Sequence, residues 1–111
     1  MSVDYTAVLA IGKQFEDKSE VVCFLEQHLK LSDDDIEMID DDGLEEWAYE
    51  KYPQLDIECL DLYQGDNYYV GIRLPPREYR DFPRQVEEAI ETWEATFPGI
   101  EPEFIHTIKV H

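Results

Sequence analysis

The sequence predicts an α+β fold. One antiparallel four-stranded sheet carries two long helices on one face, and an acidic helical insert lies between the first helix and the second strand. Three observations predict it. Segments with alternating hydrophobicity are separated by two segments of helical period. Their order along the chain is strand, helix, strand, strand, helix, strand. The stretch between the first helix and the second strand holds ten acidic residues and no Lys or Arg from Leu31 to Glu50, a run that neither period explains.

Each element has its own signal. Residues 3–12, VDYTAVLAIG, are rich in strand formers and end at a glycine, so a strand is expected to stop at Gly12. Residues 18–30 form an amphipathic helix with Ser19 as its expected N-cap and Val22, Leu25 and Leu29 on one face. Residues 55–63, LDIECLDLY, alternate as a strand, although the apolar phase slips at Cys59–Leu60. The slip implies either a β-bulge or a strand that is apolar on both faces at its end. Gly65 and Asp66-Asn67 mark a turn, and residues 68–74 return as a hairpin partner that Pro75-Pro76 stop. Residues 82–97 are the strongest helix, with Pro83 in its first turn and a stripe of Phe82, Val86, Ile90, Trp93 and Phe97. Residues 103–110 make a last strand with Phe104, His106, Ile108 and Val110 on its apolar face.

This order is that of the ferredoxin-like βαββαβ sandwich, with a helix spanning each parallel crossover. It leaves the second sheet face open to solvent or to a partner. If Tyr5, Leu60, Tyr63 and Tyr69 gather on that open face, a homodimer is expected.

At 111 residues the chain suits one domain, and 43% hydrophobic residues suffice for a core. The outlying property is charge: 27 Asp plus Glu against 9 Lys plus Arg, a net of −18. Such a chain repels nucleic acid and anionic membranes and attracts basic protein surfaces. Cys23 and Cys59 stand in no zinc or redox spacing, the start has no secretory pattern and no window reaches membrane-spanning length, so a cytoplasmic protein is expected.

Metal binding, helix capping and partner docking compete to explain the acidic insert. Aligning Gly43 with the glycine of a calcium-binding EF-hand loop puts Met38 and Tyr49 at its first and last ligand positions, so that motif fails. A looser divalent-cation site at Asp40, Asp41 and Asp42 stays an alternative. Helix caps at Ser32–Asp35 and Asp42–Glu45 account for some of the acids. The surplus reads either as a solvated acidic face with no specific role or as a partner-binding face formed by Asp33, Asp34, Asp35, Glu37, Asp40, Asp41, Asp42, Glu45, Glu46 and Glu50. The arginines Arg73, Arg77, Arg80 and Arg84, with Tyr68, Tyr69 and Tyr79 near them, form a candidate anion-binding cluster whose competing role is pairing with the chain's own carboxylates. His28, His106 and His111 have no nucleophile at a recognisable spacing, and no phosphate loop or zinc motif is present, so neither catalysis nor a cofactor nor a metal is expected. These readings converge on a non-enzymatic acidic binding or inhibitor protein. It would dock on the basic groove of a nuclease or other nucleic-acid enzyme, as a nucleic-acid mimic, a phage anti-defence protein or an immunity protein does. A self-associating or small-ligand module is the alternative.

Overall fold

In the computed structural model, residues 4–74 and 82–110 are described. Along them run β1 (Tyr5–Phe15), α1 (Lys18–His28), α2 (Asp33–Met38), a π-helical turn (Ile39–Gly43), α3 (Leu44–Lys51), β2 (Asp56–Asp61), β3 (Asp66–Arg73), α4 (Phe82–Thr96) and β4 (Glu103–Val110). The fold is mixed α+β, with one four-stranded sheet and four α-helices among the described residues. None of these helices is long and apolar enough to cross a membrane.

The long first strand organises the sheet. Its residues Tyr5–Gly12 pair antiparallel with β4, and Ala10–Phe15 pair antiparallel with β3. Only Ala10, Ile11 and Gly12 therefore have a strand on both sides. The rest forms two arms, one of β1 and β4, the other of β1, β3 and β2. Gly12 does not end the strand, as its position in the sequence suggested. It faces Gly71 of β3, and a Cβ placed on it would lie 2.1 Å from the Val70 carbonyl oxygen. The two glycines let the backbones approach where the sheet coils.

The arms curl far enough to meet. Asp61 of β2 pairs with Val110 of β4, the Leu62 N–H donates to the Val110 carbonyl at 3.2 Å, and the ring β1-β3-β2-β4 closes. An open sandwich with a free second face was expected. Instead that face is rolled inward around a small core of Val8, Ala10, Leu60, Tyr69 and Ile105. Leu60 and Tyr69 are thus buried, and the four-residue apolar patch expected on an open face does not form, although Tyr5 and Tyr63 are exposed.

The main core lies on the other face. There α1 and α4 meet through Phe24, whose ring centroid is 5.0 Å from that of Phe97 and 6.3 Å from that of Trp93. Ile57 and Val70 complete it from the sheet, and Ile39, Leu44, Trp47 and Ala48 complete it from the insert. At the middle of α4, Ala89 packs with Ile11 and Leu74.

Several local expectations change. The N-cap of α1 is Asp17 rather than Ser19, because the Asp17 carboxylate accepts from the Glu20 N–H at 2.9 Å. The β2–β3 register runs unbroken from Asp56↔Gly71 to Cys59↔Tyr68 and on to Asp61↔Asp66, so the phase slip is not a bulge. Cys59 and Leu60 are both buried, one on each side of a strand covered on both faces. In β4 it is Ile105 that is buried, while Phe104 and Ile108 are exposed, so the side expected to face the core looks outward. The turn falls at 62–65, earlier than expected, so that Asp66 and Asn67 open β3; Gly65 and Asn67 take φ 71° and 57°. Pro75-Pro76, Arg77, Tyr79, Arg80 and His111 lie outside the described residues.

Candidate functional site

The insert is held by its own chemistry. Ser32 Oγ accepts from the Asp35 N–H at 3.2 Å, and the Asp35 carboxylate accepts from the Ser32 N–H at 2.9 Å, closing a capping box. The other Asp35 oxygen accepts from the Trp47 indole at 3.0 Å, which ties α2 to α3. Hydrogen bonds from the Ser32 backbone, Trp47 and the Ser32 hydroxyl hold the Asp35 carboxyl below its usual range. The second cap differs from expectation. The π-helical turn carries the chain from α2 into α3, whose N-cap is Gly43 and not Asp42, and no side chain caps it. Glu45 turns toward the sheet instead, where its carboxylate accepts from the Cys59 N–H at 3.4 Å.

Asp35 and Glu45 therefore have structural partners within the fold. Asp33, Asp34, Glu37, Asp40, Glu46 and Glu50 are exposed. The side-chain placements of Asp41 and Asp42 lie outside the described set, and with them the looser cation site. Among the described residues, no three His, Cys, Asp or Glu side chains converge to hold a metal ion. The insert buries Ile39, Leu44, Trp47 and Ala48 beneath this surface, so the exposed carboxylates stand on an anchored layer rather than a loose loop. Beside it runs a cleft of about 480 Å³ lined by Asp34, Asp35, Met38, Glu50, Lys51 and Tyr52, among others.

The arginines do not form one cluster among the described residues. Arg73 lies 2.9 Å from Glu58 and 3.6 Å from Asp56, whereas Arg84 pairs with Glu88 at 3.2 Å along α4. Each is engaged by the chain's own carboxylates.

Sequence reasoning missed the densest polar constellation, on the inner face of the rolled sheet. The buried Tyr69 hydroxyl donates to both Asp56 and Glu58. Glu58 also accepts from Arg73 and, at 2.9 Å, from Lys109 of β4. Burial pushes the Asp56 carboxyl up, with Glu58 beside it adding to the effect and the Tyr69 hydrogen bond opposing it. Burial acts on Glu58 in the same direction, but hydrogen bonds from Lys109 and Tyr69 and the charges of Lys109 and Arg73 outweigh it, so its carboxyl is lowered. The Tyr69 hydroxyl is pushed up by burial and by Asp56. Two acids and two cations neutralise one another here, which suits a fastening between β2, β3 and β4. The only signal in the sequence was the alternate spacing of Asp56 with Glu58 and of Arg73 with Tyr69. Lys109 joins them only once the sheet is rolled.

No protein-family model matches this chain, and no curated protein or solved structure matches it.

Proposed function

We propose that the protein is a non-enzymatic binding protein. Its acidic insert docks on a basic groove of a partner that handles nucleic acid, such as a nuclease. One observation carries the reading: the exposed carboxylates Asp33, Asp34, Glu37, Asp40, Glu46 and Glu50 of the insert stand on a layer anchored in the main core. The ion pairs of Arg73, Arg84 and Lys109 draw on Asp56, Glu58 and Glu88, none of them in the insert. Carboxylates fixed on a rigid surface present negative charge to a groove built for phosphates, and a net charge of −18 steers the encounter. Direct contact with nucleic acid is disfavoured by the same charge. The free thiols Cys23 and Cys59 fit a reducing cytoplasm. For the fold we read a rolled variant of the ferredoxin-like arrangement. The element order and the antiparallel pairs β1–β3, β1–β4 and β2–β3 support it, and the contact between β2 and β4 is its departure from an open sheet.

The test is affinity capture on the immobilised protein at low ionic strength, followed by elution with salt and with duplex DNA. Nucleic-acid enzymes are expected to be retained, released by salt and displaced by DNA. The variant Asp33→Asn/Asp34→Asn/Asp40→Asn should bind such an enzyme roughly tenfold more weakly. Retention indifferent to salt, to DNA and to these substitutions would overturn the reading.

A further inference from the structure

The β1–β4 arm has a second consequence on the face that bears the helices. Along it the register places Tyr5 beside Val110, Ala7 beside Ile108, Leu9 beside His106 and Ile11 beside Phe104. Helix α4 covers this row only at one end, where Ile11 packs with Ala89 and the Phe82 ring meets Phe104 at 6.3 Å. Beyond that point Tyr5, Ala7, His106 and Ile108 are exposed, and Leu9 and Val110 are half-buried. Of the six large apolar side chains that the described residues expose, Tyr5 (68%), Phe104 (52%) and Ile108 (56%) lie in this row, and Leu62 and Tyr63 follow the residue hydrogen-bonded to β4 or donate to it themselves. A contiguous exposed apolar face marks an interaction surface.

Two features identify the occupant. The outward set Tyr5, Ala7, Leu9, Phe104, His106, Ile108 and Val110 includes no Asp or Glu, in a chain with 27 of them, and Asp61, the partner of Val110, borders it at the end away from Phe104. Two copies carrying −18 each repel most strongly where carboxylates meet and least where neither brings any. The set is also self-complementary. Phe104 and Ile108 flank His106 at equal spacing on one strand face, so a twofold axis at His106 lays Phe104 of each copy on Ile108 of the other. We propose that this bare strip is the interface of a homodimer formed by two copies of the chain about that axis. It is smaller than the roughly 20 to 30 residues per side of a standard stable interface, so the dimer is weak and dependent on concentration.

Sedimentation velocity on the whole protein tests this over a concentration series at low and high ionic strength. The average mass is expected to rise from monomer toward twice monomer. Association should strengthen with salt, opposite in sign to the docking of the acidic insert on a basic partner. Ile108→Asp and Ile108→Lys should both weaken it by tenfold or more, with circular dichroism unchanged because Ile108 is exposed. Charge-driven association would instead move the two variants in opposite directions, and that result overturns the proposal. So does a wild-type protein that stays monomeric throughout, or association that neither variant alters.

Discussion

Tyr69, Asp56, Glu58, Arg73 and Lys109 show what single residues contribute. Glu58 titrates lower in the folded chain than its ordinary value of 4.5. Between those two values the unfolded chain binds more protons than the folded one, so stability rises with pH. Its contribution is complete above the ordinary value and is lost as pH falls through the depressed one. Asp56, whose carboxyl is raised, acts with the opposite sign and loses its contribution as pH climbs through the raised value. We expect Glu58→Gln to flatten the acid limb of the urea-midpoint profile against pH, while the wild type falls steeply there; parallel profiles would exclude Glu58 as the titrating group. The alternation of Asp56 with Glu58 is legible in the sequence as one strand face. That this face turns inward toward Lys109 is not, because it depends on how far the sheet rolls.

At the scale of elements, the insert divides into a legible part and a hidden one. The capping box at Ser32–Asp35 follows from residue types at the right spacing, and α2 starts where they place it. The start of α3 does not follow, since a π-helical turn continues the chain through Gly43 and makes a second side-chain cap unnecessary. Asp35 holds both ends of the arrangement through Ser32 and Trp47. Asp35→Ala should therefore lower the urea midpoint measurably and raise amide exchange across Asp33–Met38. Asp34→Asn, at an exposed carboxylate, should leave both within error. The buried face of strand β4 is hidden in the sequence for a different reason. Ile105 on one side and Phe104 with Ile108 on the other give it two apolar faces, and alternation cannot rank them. The closure onto Leu60 and Tyr69 selects Ile105.

Over the whole molecule, charge opposes compaction. A net of −18 spread over a small fold is screened by salt, so the melting temperature should rise with ionic strength. The rise should persist in Ile108→Asp, which separates self-repulsion from dimer formation; a flat or falling dependence in that variant would show that repulsion is not a major cost. The pairing of β1 with β4 also bears on how the chain reaches its native state. Tyr5 meets Val110 across nearly the whole described chain, and Val8 and Ala10 find their cover on Ile105. While a ribosome still holds β4 in its exit tunnel, the sheet lacks one side and the small inner core lacks a wall. The emerging polypeptide must wait in an incomplete form until β4 is free, and contacts so distant in sequence make the closing step slow. The same charge that weakens the finished structure would keep that waiting form dispersed.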